Sequence, residues 1–278
     1  MLFVSVIRAC NIIGYCLRSR LFLGCRHGVI LGWRASILQM SCIAFKKLSK
    51  VKLMFNDPIF RAPRVWSNKE LKKFKSHFIG DIANISGWKD EDKEGGFYRA
   101  YFPNASSYTI SNYSTESCGF QGDIENEIFL DLTAPVPSSL ELRFDVVFNH
   151  TVLEHVFEVN SALDALCSLS KDIVVLVVPF LQEQHADYGD YWRFTPLCVE
   201  RLLRERGFAT IYINYNDNAR TSVYVFAIAS RRPERWKELG SMDGNRIREM
   251  ATKYAGTNAI PRSRLTRVKR VLGRVFGF

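Results

Sequence analysis

Seven short apolar stretches punctuate the middle of the chain, at 78–85, 108–113, 127–132, 144–150, 172–180, 209–216 and 222–230. Two of them, across 144–148 and 173–178, are almost continuous runs of apolar, largely β-branched residues. A strand covered on both faces needs that composition, so these two belong in the middle of a sheet. Helical periodicity fills the intervals. Residues 159–169 set Leu163, Leu166 and Leu169 on one stripe. Residues 196–206 open with Thr195 as cap and Pro196 in the first turn, and Gly207 closes them. Upstream, Ser67 as a cap, with Leu71 and Phe74 on one face, predicts a short helix within a linker at 56–75. The last two strands are separated only by 217–221, too short for a parallel crossover, so they pair antiparallel. The predicted fold is α/β: a Rossmann-like, seven-stranded, mostly parallel sheet with a C-terminal antiparallel hairpin and helices on both faces.

Charge divides the chain differently from hydropathy. The net charge of +10 hides an acidic centre between basic ends. Residues 1–55 hold nine Lys/Arg and no acid, 231–278 hold thirteen against four, and 56–230 sum to −8. The expected organisation is therefore a basic, partly apolar extension (1–55), the linker, the α/β domain at 76–231, and a basic tail (232–278). Because the positive charge lies off the domain that would do chemistry, nucleic acid is not the expected partner. Solvated tails, or loose contact with an anionic membrane surface, fit better. The longest uncharged run near the N-terminus, 35–45, is too short to span a bilayer. Seven cysteines, four of them before residue 43, show no zinc-like spacing. They predict reduced thiols in a cytoplasmic protein, peripheral at most to the inner face of a membrane, and no metal site.

Ligands of open α/β sheets sit beyond the carboxyl ends of the strands. There the chain reads FDVVFNHTVLEHV (144–156), then VVPF (177–180), a histidine, and DYWRFTP (190–196). In order and spacing this resembles the class I S-adenosylmethionine-dependent methyltransferases of the methyltransferase type 11 kind, in particular a subgroup associated with bacterial surface-glycan genes. The resemblance spans about 76–231. It implies S-adenosylmethionine as cofactor and methylation of a small-molecule or glycan-type acceptor.

The resemblance also implies where the cofactor sits. Asn84, Ser86 and Gly87 match the glycine-rich loop after the first strand, with one glycine where the family has several. Asn112 stands where an acidic residue normally holds the ribose. Asp131 and Leu132 match the adenine-reading position, and Asn149 and His150 the start of the loop after the fourth strand. Two of these four elements depart from the family pattern. That keeps open an inactive relative serving as a scaffold at a membrane-associated glycan assembly complex. Asp131 also reads as a cap for the turn at Thr133. The charged run 88–94 is expected to face solvent before a short aromatic helix at 97–102.

Methyl transfer to oxygen or nitrogen is an in-line displacement on a sulfonium, helped by a base of near-neutral pKa. His185 is the candidate base, with a second reading as a loop pin bonded to Asp187 or Asp190. Tyr188, Asp190, Tyr191, Trp192 and Arg193 are candidates for an acceptor pocket. His155, in Leu153-Glu154-His155, reads as a packing or hydrogen-bonding residue.

Overall fold

The structure, a computed structural model, describes residues 58–114, 119–120, 122–185, 189–218, 221–238 and 255–260. All of them belong to one unit, Asn56–Phe278. The basic extension at 1–55 and most of the C-terminal tail lie outside the described residues.

Seven strands form one sheet: β1 (Ile79–Ile85), β2 (Asn104–Asn112), β3 (Glu127–Phe129), β4 (Phe144–His150), β5 (Ser170–Leu181), β6 (Ala209–Tyr215) and β7 (Val223–Ser230). Their order is β3-β2-β1-β4-β5-β7-β6. Every neighbouring pair is parallel except those made by β7, which runs antiparallel to both β5 and β6. The sheet order reverses between β1 and β4, which is where a ligand crevice opens in such a sheet.

Period-2 alternation sends successive side chains to opposite faces. Ala83, Ile85, Val147, Val174 and Leu176 pack under α2 (Val159–Leu169) and α3 (Pro196–Arg204). Ile82, Val146, Phe148, Val175 and Phe226 face α1 (Pro58–Lys73) and the 3-10 turn Tyr98–Tyr101. In α3 the Thr195 hydroxyl accepts from the Cys198 backbone nitrogen at 3.1 Å and Pro196 opens the helix. Gly207, at φ +77°, takes the left-handed turn that ends it.

One expectation fails at α1. Ser67 is not a cap but an interior residue of a 16-residue helix, and its side chain is buried. The helix begins at Pro58, and Trp66, ahead of the predicted start, packs against the same cluster as Leu71 and Phe74, so packing on the sheet outweighs a local capping signal.

Candidate functional site

At the carboxyl end of the sheet a cavity of about 680 Å³ opens beside the switch point. Its wall is built from residues that follow the strands: Ser86 after β1, Tyr113 after β2, Leu130–Thr133 after β3, and Thr151 after β4. His155, Phe157 and Tyr191 close the other side. Of the cofactor residues expected from sequence, Ser86, Asp131 and Leu132 line this cavity. Asn84, Gly87, Asn112, Asn149 and His150 do not.

Strand parity explains three of the five misses. Asn84, Asn112 and His150 stand in phase with Ile82, Ile110 and Phe148, so they turn toward α1. The cavity receives the next residue in two cases: Tyr113 instead of Asn112, and Thr151 instead of His150. Asn112 donates to the Trp88 carbonyl (3.2 Å) and to the Glu127 carboxylate (2.5 Å). That carboxylate also accepts from the backbone nitrogens of Phe120 and Gly122. Asn149 is fully buried and donates to the Ile85 carbonyl at 3.1 Å.

His150 closes a ring of hydrogen bonds. Arg64 donates to the Thr151 hydroxyl (2.9 Å), which lies 3.1 Å from His150 Nδ1. His150 Nε2 lies 2.8 Å from the Ser67 hydroxyl, and Ser67 donates to the Arg64 carbonyl at 2.9 Å. With Ser67 donating to that carbonyl, its oxygen accepts from a protonated Nε2, and Nδ1 accepts from Thr151. The imidazole is thus held neutral. Burial, reinforced by the Arg64 charge, pushes its pKa well below the ordinary value. Thr151 keeps its place at φ +51°, a conformation that a β-branched residue rarely takes and that nothing in the sequence signals.

The run after β1 faces solvent, as expected, at Trp88, Lys89, Glu91, Lys93 and Glu94, but two of its carboxylates turn inward. Asp90 is buried, and its carboxylate accepts from Asn84 (2.8 Å), the Tyr108 hydroxyl (2.7 Å) and the Arg99 backbone nitrogen (2.9 Å). Asp92, also buried, accepts from the backbone nitrogens of Glu94 (2.7 Å) and Gly96 (2.8 Å) and from Tyr101 (3.0 Å). Gly87 is required by this packing, since a Cβ there would sit 2.6 Å from the Asn84 amide. The close approach permitted by the remaining glycine is to the chain's own side chain. The 3-10 turn at Tyr98–Tyr101 lies within the aromatic segment expected at 97–102.

Asp131 caps the turn at Thr133, as one of its two readings expects, and also lines the cavity. One carboxylate oxygen accepts from the Thr133 nitrogen (2.8 Å) and hydroxyl (2.7 Å).

After β5, Tyr188 lies outside the described residues. Asp190 and Arg193 form a two-pronged ion pair (2.5 and 2.7 Å), and Arg193 also donates to the carbonyls of Gln182 and Glu183. Hydrogen bonding to Arg193 holds the Asp190 carboxyl far below the usual range. Trp192 donates its indole N–H to the Val156 and Phe157 carbonyls. Asp190, Trp192 and Arg193 therefore fasten the loop, and of the described acceptor candidates only Tyr191 lines the cavity. His185 places Nδ1 3.1 Å from Asp190, matching the loop-pin reading, and its ring meets that of His155 at 5.2 Å between centroids. The imidazole that lines the cavity is His155.

The sequence matches no family model, and no curated protein matches it. Solved structures with a similar chain path include magnesium protoporphyrin IX methyltransferase from Synechocystis PCC 6803 with bound S-adenosylmethionine (14% identity, 60% of this chain and 79% of that one, TM-score 0.44). Another is the 1,6-didemethyltoxoflavin-N1-methyltransferase of Burkholderia thailandensis (13% identity, 75% and 92%, TM-score 0.43). A structure from Rhodobacter sphaeroides described as a Zn-dependent alcohol dehydrogenase scores the same way (17% identity, 59% and 88%, TM-score 0.44). Likeness at this level does not separate one chemistry from another.

Proposed function

We propose that this protein is an S-adenosylmethionine-dependent methyltransferase acting on a small-molecule or glycan-type acceptor. The observation that supports it is the position and lining of the cavity. It lies at the reversal of strand order and is walled by the residues following β1, β2, β3 and β4. Leu130, Leu132, Val152 and Val156 offer an apolar slot for an adenine ring. Asp131 at its edge has the acceptor oxygens that an exocyclic amino group requires. On this reading Phe157, Tyr191 and His155, which also line the cavity, would receive the acceptor. His155 Nδ1 lies 2.6 Å from the Gly189 carbonyl, which can only accept, so Nε2 carries the lone pair. That nitrogen suits a role in receiving a hydroxyl proton, with His185 beside it.

Isothermal titration with S-adenosylmethionine and S-adenosylhomocysteine tests the reading. Saturable binding is expected, weakened about tenfold or more in Asp131→Ala through loss of a charged hydrogen bond. No heat at millimolar ligand overturns it.

A scaffold without catalysis is the second reading. It is favoured by a β1 loop filled with its own side chains and by an Asn112 already bonded to Glu127. Among the described residues, no helix is long and apolar enough to cross a membrane. In either reading the basic ends would contact an anionic surface. Removal of 1–55 and 260–278 is then expected to abolish liposome association and leave cofactor binding intact.

A further inference from the structure

We propose that Glu154, His155 and His185 form a binding site for one divalent transition-metal ion. Each residue offers a ligand atom, and these atoms lie within 4.8 Å of one another. Ligands around such an ion at 2.0–2.2 Å stand roughly 3–3.5 Å apart, so small side-chain rotations close the set. His155 Nε2 already lies 3.7 Å from Glu154 Oε1.

Three features make this more than a cluster of ligating residue types. The first is Glu154 itself. Its side chain is wholly buried, and neither carboxylate oxygen has a hydrogen-bond partner. A carboxyl group withdrawn from water without a partner is costly in either protonation state, and buried polar groups are ordinarily hydrogen-bonded or metal-bound. The cationic side chains nearest in charge are engaged elsewhere: Arg64 donates to Tyr98 and Thr151, and Arg193 to Asp190.

The second feature is the orientation of both imidazoles. His155 directs Nδ1 at the Gly189 carbonyl (2.6 Å), and His185 directs Nδ1 at the Asp190 carboxylate (3.1 Å). Each acceptor fixes the proton on Nδ1 and leaves the lone pair on Nε2. A backbone carbonyl and a carboxylate are the usual outer partners of metal-bound histidine.

The third is how the site is closed. The Glu154 carbonyl accepts from the backbone nitrogens of Tyr191 (2.7 Å) and Trp192 (3.3 Å). The Asp190 carboxylate also accepts from the His185 backbone nitrogen at 2.8 Å. The loop after β5 is thereby tied to the turn after β4, with the three ligands between them.

Two imidazole nitrogens and one carboxylate oxygen suit zinc, cobalt, manganese or iron(II) better than calcium or magnesium, which take oxygen ligands. Three protein ligands leave room for a fourth from outside, and His155 lines the cavity. An acceptor hydroxyl bound there would lose its proton more easily. With the ion in place His155 Nε2 is a ligand and no longer a base, so the released proton passes to solvent; that role rests on the methyltransferase reading, and the metal site does not.

Co²⁺ is a suitable probe, added to the chelator-treated, untagged full-length chain without S-adenosylmethionine. One Co²⁺ per chain is expected, with the weak visible absorption of nitrogen and oxygen ligation. His185→Ala, at a partly exposed position, and the near-isosteric Glu154→Gln should each weaken binding at least about tenfold. Both should keep the wild-type circular dichroism spectrum. Absence of stoichiometric binding, thiolate-to-cobalt charge-transfer bands, or affinity unchanged in both folded variants would overturn the proposal.

Discussion

Two polar regions flank the carboxyl end of the sheet, and they treat buried carboxylates in opposite ways. In the segment after β1, Asp90 and Asp92 each accept three hydrogen bonds from within the chain. Between the turns after β4 and β5, Glu154 is equally buried and accepts none at its side chain. A carboxylate surrounded by its own donors organises backbone, and its energetic account is closed within the fold. One without donors makes the fold less stable unless something from outside completes it. The first region is therefore read as architecture and the second as chemistry, although the sequence resemblance places the cofactor loop in the first.

The largest effect expected from this contrast is at Asp90. Asp90→Ala strands the buried Asn84 amide and Tyr108 hydroxyl, at about 1–3 kcal/mol each, and the part-buried Arg99 nitrogen. A loss of about 4 kcal/mol is expected in urea unfolding. A loss below about 1 kcal/mol would mean that Asp90 does not anchor the run 88–94 to the fold, and that the contrast between the regions fails.

Next comes the ring around His150, a satisfied polar cluster whose state depends on pH. Its pKa is depressed by burial and then by Arg64, so the folded protein holds a neutral imidazole where the unfolded chain takes up a proton. The unfolded state binds more protons below about pH 6.5, so stability is full above that value and falls as pH drops through it. The fall attributable to His150 approaches ~1.4 kcal/mol per pH unit. His150→Gln should be less stable at pH 7.5 yet show a flatter decline between pH 6.5 and 5, read from urea midpoints in both proteins. Parallel slopes would show that the ring does not govern the neutral tautomer. The groups facing the imidazole, Arg64, Ser67, Thr151, Tyr98 and Tyr224, include no carboxylate to favour its charged form.

How legible these regions are in the sequence differs for physical reasons. The strands at 144–150 and 172–180, the closing hairpin and the Thr195 cap depend on local composition and spacing, and the fold realises them with shifts of a residue or two. The site depends on phase. Around β2 and β4 the expected ligands fall one position short, and a single step along a strand exchanges one face for the other. The inward turn of Asp90 and Asp92, within a run that otherwise faces solvent, was hidden because Asp90 meets Tyr108, and Asp92 lies against Asn68 and Tyr101, only after β2 and α1 are in place. Likewise, absence of a CxxC pattern says nothing of a cluster made from Glu154, His155 and His185. Those residues meet through backbone pairing between two separate turns.

The smallest expected effect sharpens the comparison most. In the chelator-treated protein, burial pushes the pKa of the Glu154 carboxyl up to about 8, so near neutral pH Glu154→Gln exchanges a largely uncharged group that makes no hydrogen bond for one of nearly the same volume. Stability should therefore stay within about 1 kcal/mol of wild type, because no donor is left without its acceptor. The matched control is Asp90→Asn, which turns an acceptor of three hydrogen bonds into an amide with donors facing donors, and should lose well over that amount. Urea midpoints for the two variants, measured at the same pH, decide between them. A large loss at Glu154 would mean that its carboxylate already supports the fold as Asp90 does. Near neutrality at Glu154 beside a large loss at Asp90 would show a carboxylate retained at a cost, in a protein that elsewhere pairs such groups with care.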